Sequence, residues 1–329
     1  MSKKIKWGIL GTGNIAHKFA EALSVLDDAE LVSVGSRSQE SADKFAGEFD
    51  VANAHSSYEA LVNDPEVDVI YISTPHPYHF ENTMLCLHNG KNVLCEKPFA
   101  LNEGQVQKMI DKAKENDLFL MEAMWMAYFP AIAKIRELIA SGIIGDVKLV
   151  DVKFCFRCGW NPEHRLLNKD LGGGALLDVG VYTLAFNQLI YGKEPVDIAT
   201  LPVMGDTGVD EMGSIILSYE EGALSVLTSA VRLNTPHEAL ICGTEGMIKI
   251  PPLFWQPDKF ILVKDGKEEE MSFERIGNGY CFEAIEVTKC LNEGKKQSDL
   301  ISWDESLKLI RTMDRVRKMW GLAYPRENH

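Results

Sequence analysis

Ile5-Lys6-Trp7-Gly8-Ile9-Leu10-Gly11-Thr12-Gly13-Asn14-Ile15-Ala16 decides the fold. Its first six residues form a short, mostly apolar run, the pattern of a strand buried on both faces of a parallel sheet. Gly11-x-Gly13-x-x-Ala16 follows at once, and Phe19, Ala20 and Leu23 continue at helical spacing. Gly11 permits a tight turn, Gly13 lets backbone approach a pyrophosphate, and Ala16 lets the helix lie close to the strand. The helix start then offers free N–H groups and the positive end of its dipole to phosphate. A glycine pattern alone is a weak signal; one that opens a strand–helix unit is much stronger. Gly11, Thr12, Gly13, Asn14 and Ile15 are therefore candidate cofactor-binding residues.

Working outward, Glu30 to Gly35, Val67 to Ile72, Asn92 to Cys95 and Leu118 to Leu120 read as further strands, alternating with helical segments. That alternation predicts a doubly wound parallel sheet, a Rossmann arrangement, over residues 1–122. Ligands of such sheets bind at the carboxyl ends of the strands. Ser36-Arg37-Ser38 ends the second strand. An NAD enzyme usually keeps a carboxylate there to hold the ribose hydroxyls. Hydroxyls with a guanidinium suit a 2′-phosphate instead, so NADP(H) is expected over NAD(H). Ser73, Thr74, Pro75, His76 and His79 end the next strand and fall beside the dinucleotide. No carboxylate or cysteine joins the two histidines at ligand spacing, so they read as hydrogen-bonding loop residues. No metal is expected. Glu96-Lys97-Pro98 stands at the end of the following strand, where Lys97 either carries charge toward the cofactor ring or is a surface lysine.

At 329 residues the chain has room for two domains, and 46% hydrophobic with 25% charged residues is ordinary for a globular enzyme. The net charge of −14 argues against a nucleic-acid surface. No apolar run is long enough to span a bilayer, and Met1-Ser2-Lys3-Lys4 leads into a strand rather than a signal-peptide core. Seven cysteines without a disulfide framework point to a reducing, cytoplasmic setting. Cys155 and Cys158 form one C-x-x-C in a strand-like stretch, where that spacing puts the thiols on opposite faces.

The chain leaves the first domain near Glu122-Ala123-Met124-Trp125, and residues 123–329 are expected to form a second, substrate-binding α/β domain. Val150, Val152, Phe154 and Phe156 alternate along one strand face. Residues 213–219, 223–231, 239–242 and 247–250 read as further strands, and 302–320 as the last helix. Gly172-Gly173-Gly174 precedes a helix that carries Asp178 and Tyr182, four residues apart and so on one face. An acid and a phenol aimed one way can hold and deprotonate an alcohol. The same pair also suits a helix-start aspartate favoured by the dipole, with a tyrosine half in the core. Trp125, Phe154 and Trp160 could stack on a sugar face or an aromatic diol.

Gly11-x-Gly13-x-x-Ala16, Ser73-Thr74-Pro75, Glu96-Lys97-Pro98 and Gly172-Gly173-Gly174-x-x-x-Asp178-x-Gly180 together resemble the glucose–fructose oxidoreductase/inositol dehydrogenase (Gfo/Idh/MocA) family. Many members have histidine where this chain has Tyr182. Tyrosine there is similar to the branch of dihydrodiol and NADP-dependent xylose dehydrogenases. The resemblance implies a second domain with a large open, mostly antiparallel sheet, which a partner subunit covers to make a homodimer. It implies a cis Lys97–Pro98 bond, with Glu96 and Lys97 at the cofactor and coenzyme contacts from Tyr71 and His79. It further implies Lys97 and Tyr182 as the catalytic pair and Asp178 as an orienting carboxylate. The reaction implied is hydride transfer between NADP(H) and a hydroxyl-bearing carbon of a sugar, polyol or dihydrodiol. Two alternatives share the fold: a catalytically silent regulator that binds the dinucleotide, and a glycosidase that recycles its cofactor.

Overall fold

A computed structural model describes residues 3–327; Met1 and Ser2, half of the lead-in read above, lie outside them. The first sheet is built from β1 (Ile5–Leu10), β2 (Ala29–Gly35), β3 (Asn53–His55), β4 (Val69–Ile72), β5 (Asn92–Glu96) and β6 (Leu120–Ala123). Its order is β3-β2-β1-β4-β5-β6, and every neighbouring pair is parallel. Ile9, Ile70, Ile72 and Leu94 are fully buried, as a sheet covered on both faces requires. The covering helices are α1 (Asn14–Ser24), α2 (Gln39–Phe49), α3 (Tyr58–Val62), α4 (His79–His88) and α5 (Glu103–Glu115). Strand order reverses between β1 and β4, the switch point where a crevice opens at the strand ends. The expected Rossmann sheet is the observed one.

Beyond α6 (Pro130–Ala140), the second sheet contains β7 (Val147–Cys155), followed by α7 (Val181–Tyr191), β8 (Asp197–Met204), β9 (Asp210–Ser218) and β10 (Leu224–Ala230). β11 (Ala239–Gly243), β12 (Gly246–Ile250), β13 (Lys259–Lys264) and β14 (Lys267–Ser272) complete it in the order β14-β13-β12-β11-β7-β10-β9-β8. Only β7 and β10 pair parallel. Val150, Val152, Ile215, Leu217 and Leu227 point inward and are buried. Both sheet edges escape the sequence reading. β8 carries Pro202, which cannot donate to a ladder, and β14 reads Lys267-Glu268-Glu269-Glu270. Proline and charge are what edge strands carry, and both erase the apolar alternation that marks a strand.

The chain then runs through α8 (Cys281–Asn292) and α9 (Trp303–Trp320). Residues 3–125 and 275–307 form one compact unit, and residues 126–274 and 308–327 form the other. The late segment is tied into the first unit by specific bonds. The Trp303 indole donates to the Leu120 carbonyl at 2.9 Å, and the Ser306 hydroxyl donates to Glu122 at 2.7 Å.

Candidate active site

The glycine loop opens at the carboxyl end of β1. Gly11 has φ +108°, and a Cβ there would lie 2.8 Å from Ser73 Oγ, so only glycine fits. Ser73 itself donates to the Leu10 carbonyl at 2.9 Å, clamping β4 to the loop. Gly13 is the residue before α1, and nothing lies within 4 Å of where its Cβ would point. No side chain caps that helix start and no acid sits in its first turn. Its N–H groups and dipole are thus left for an anion. Thr12 and Ser36 bring their hydroxyls to 3.5 Å across this edge. Arg37 is exposed and makes no ion pair among the described residues. Ser38 caps α2 by accepting from the Ser41 N–H. The backbone cradle, the bare helix start and the unpaired guanidinium fit a dinucleotide.

Behind this edge lies a buried polar layer. The Tyr71 hydroxyl donates to Glu96 at 2.5 Å, and its ring stacks on Phe19 at 3.8 Å. Burial, then the Glu96 charge, holds that phenol far above its ordinary range. The other Glu96 oxygen accepts from the Lys97 N–H at 3.2 Å. Lys97 is half-buried, and the Lys97–Pro98 bond is cis, as the resemblance implies. His79 is fully buried, with one ring nitrogen 2.8 Å from the Pro98 carbonyl and the other 2.8 Å from the Thr74 carbonyl. Burial pushes its pKa down, and the neutral ring can donate to only one of these carbonyls. His79 therefore ties the β4 loop to the β5 corner through backbone. His76 is buried with its ring 5.8 Å from that of His79, and no metal-binding cluster occurs among the described residues. Glu122 accepts from Phe99 N–H and from Ser306, and burial raises its carboxyl to about 7. Glu283 on α8 is fully buried and pushed well up by burial and then by the Glu96 charge. Trp125, 4% exposed, stacks on Tyr280 at 4.0 Å.

In the second unit the triple glycine leads into a π-wound turn, Leu176–Gly180, before α7 begins. The Val181 N–H reaches back five residues to the Leu176 carbonyl. Asp178 therefore sits on the wider turn and Tyr182 on the α-helix, a departure from simple four-residue helical spacing. Such turns recur at functional sites. Gly174, at φ +120°, brings its backbone against Asp210, whose carboxylate accepts from the Leu176 N–H at 2.7 Å. Asp178 is buried and accepts from Arg165 at 2.9 Å. Tyr182 packs 5.6 Å from the Phe154 ring. Phe154 in turn stacks on Trp255 at 3.8 Å and meets His237 at 5.2 Å. Trp160 stands outside this aromatic group, exposed and with Arg232 5.3 Å from its ring.

The comparisons agree with the fold. The family model described as "Oxidoreductase family, NAD-binding Rossmann fold" matches residues 5–124, and "GFO/IDH/MocA C-terminal domain" matches residues 132–249. The chain belongs to the Gfo/Idh/MocA oxidoreductase family. Trans-1,2-dihydrobenzene-1,2-diol dehydrogenase of Xenopus tropicalis is 39% identical over 97% of this chain and 99% of the relative. The human protein of that name is 34% identical over 98% and 99%. Aldose-aldose oxidoreductase from Caulobacter crescentus superposes with a TM-score of 0.88 at 22% identity, covering 97% of this chain and 99% of that one. A 3-ketoreductase from Actinomadura kijaniata, solved with NADP and TDP-benzene, gives 0.86 at 23%, covering 96% and 98%. At those identities the structures share the fold. Membership and the named relatives make this chain an NAD(P)-binding dehydrogenase or reductase of CH–OH groups. No helix among the described residues is long and apolar enough to cross a membrane.

For a Gfo/Idh/MocA enzyme, sequence reasoning gives no role to Arg165 or His237 and leaves Trp255 between the pocket border and core packing. None sits in a pattern of its own. Arg165 reaches Asp178 across 13 positions, and His237 is placed when its ring nitrogen meets the Cys155 carbonyl at 2.7 Å across 82. Trp255 reads as core packing, yet it is only half-buried and faces Phe154.

Proposed function

We propose that this chain is an NADP(H)-dependent dehydrogenase for a sugar, polyol or dihydrodiol, with Tyr182 and Lys97 as its catalytic pair and Asp178 orienting the substrate. The observation that carries the reading is in the second unit: a phenol and an arginine-held carboxylate on one helical run, beside the stacked Phe154–Trp255 face. The dihydrodiol relatives support the diol end of the substrate range.

Bound nicotinamide supplies the two-electron acceptor or donor. Gly11, Thr12, Gly13, Asn14, Ile15 and the Ser73-Thr74-Pro75 loop hold its phosphates and ribose, and Ser36 with Arg37 accepts the 2′-phosphate. Oxidation requires removal of the hydroxyl proton as the C–H bond breaks. An ordinary tyrosine, with a pKa of about 10, is a poor base at neutral pH. In the pairing that the family resemblance implies, a lysine ammonium such as that of Lys97 would stabilise the phenolate and make Tyr182 the proton acceptor in oxidation and the donor in reduction. Phe154 and Trp255 shield the reacting carbon from water.

The chain acts as a homodimer in the cytoplasm. Leu201, Val203, Ile216 and Leu224 lie on the outer face of the second sheet and are 80%, 48%, 45% and 44% exposed, an apolar stripe that a second copy would cover. All seven cysteines are free, which suits a reducing compartment.

The deciding experiment follows nicotinamide absorbance with NADP+ and NAD+ against aldoses, inositols and a trans-dihydrodiol. Turnover with NADP+ is expected. A preference for NAD+ removes the 2′-phosphate role of Ser36 and Arg37, and no turnover with any alcohol removes the enzyme reading of Tyr182.

A further inference from the structure

Arg165 sits on the segment between β7 and the triple glycine, and that segment is pinned at close range. A Cβ on Gly173 would lie 2.8 Å from the Arg165 and Asn168 carbonyl oxygens and 2.9 Å from the Leu166 carbonyl carbon. The Gly173 N–H donates to Asn168 and the Gly174 N–H to Leu166, each at 2.9 Å. The missing side chain at Gly173 is what lets this backbone approach. From that fixed root the Arg165 side chain, half exposed, reaches forward to Asp178, whose side chain is 8% exposed. Asp178 is its one ion-pair partner among the described residues. A carboxylate so far out of water needs a paired charge and a fixed hydrogen bond to stay ionised in one orientation. A solvent-facing arginine as such adds little to folding; directing a neighbour's carboxylate is a task that its geometry does meet.

We propose that Arg165 is a positioning residue for the reaction: it holds Asp178 charged and correctly turned toward the substrate hydroxyl, and Gly173 is the spacer that sets its reach. This inference rests on the functional reading above, in which Asp178 orients the alcohol.

The test compares wild type, Arg165→Met, Arg165→Lys and Gly173→Ala. With an alcohol that wild type oxidises, Arg165→Met should lower kcat/KM by about 10- to 100-fold. NADPH affinity, read by fluorescence titration without substrate, should stay unchanged. Methylguanidinium in solution should restore part of the lost rate, and Arg165→Lys should keep part of it. Gly173→Ala removes no charge yet should reproduce the loss, without rescue by methylguanidinium. Wild-type kcat/KM in Arg165→Met overturns the proposal and leaves the functional reading standing. Loss of NADPH affinity along with activity marks Arg165 as merely structural and also overturns it. A wild-type protein that oxidises none of the alcohols overturns both.

Discussion

In the first unit, the groups proposed to meet a ligand are mostly backbone and short side chains at strand ends: the Gly11 turn, the bare start of α1, Ser73 and Ser36. In the second unit they are side chains drawn from three stretches of the chain: Arg165, then Asp178 with Tyr182, then His237 with Trp255. The contrast matches what each must recognise. The pyrophosphate of a dinucleotide is the same whatever alcohol is turned over, and backbone dipoles bind it without needing a particular side chain. An alcohol must be told from its relatives, and only side chains at set distances can do that. The first arrangement is written as a local motif. The second exists only after folding.

Four changes would break or sharpen this comparison. The largest effect should come from Tyr182→Phe, which removes the proton carrier. Turnover should fall by about 10²–10⁴-fold while cofactor affinity holds. Unchanged turnover would move the chemistry back to the first unit.

Next is Glu122, a buried titratable side chain behind the backbone-built edge. In the folded chain it stays protonated up to about 7, whereas unfolded it ionises near 4.5. Stability should therefore fall as pH rises through that window and remain lowered above it, by about 3 kcal/mol. Glu122→Gln can still accept from Phe99 and meet Ser306, but it does not ionise. Its stability relative to wild type should be greater at pH 8 than at pH 5. Parallel pH profiles for the two proteins would contradict this.

Arg37→Ala tests the long side chain assigned to the cofactor's 2′-phosphate. Losing a charge-assisted contact should raise KM for NADP+ by about 10- to 100-fold and leave NAD+ unaffected. Equal effects on both cofactors would leave backbone as that unit's whole recognition surface. The smallest change in activity should come from Leu201→Lys, which places charge on the exposed stripe. It should shift the mass in light scattering from dimer to monomer with turnover largely kept. A monomeric wild type would remove the partner from the picture.

Much of the first unit is legible in sequence because its elements are local. β1, β2, β4 and β5 are apolar runs bounded by turn residues, and Ser73-Thr74-Pro75 and Glu96-Lys97-Pro98 sit at strand ends where ligands belong. β3, only Asn53–His55, is too short to show a period. β8 and β14 are hidden by the proline and charges that protect an edge. Asp178 and Tyr182 are visible as a pair, but the π-wound turn beneath them is not, and the Asp210 carboxylate that meets its Leu176 N–H lies 34 positions away. Arg165 and Trp255 gain meaning only from neighbours that the sequence does not name.

The bonds from Trp303 and Ser306 back to β6 span 183 and 184 residues. On a ribosome working at about 5–20 residues per second, β6 emerges about 10–40 s before its covering segment exists. Until then Glu122 lacks Ser306, and the Leu120 carbonyl lacks its indole donor. The sheet that looks finished by residue 123 is thus the part of the nascent chain left open longest. It should be the first stretch that a chaperone meets and the last to become protease-resistant.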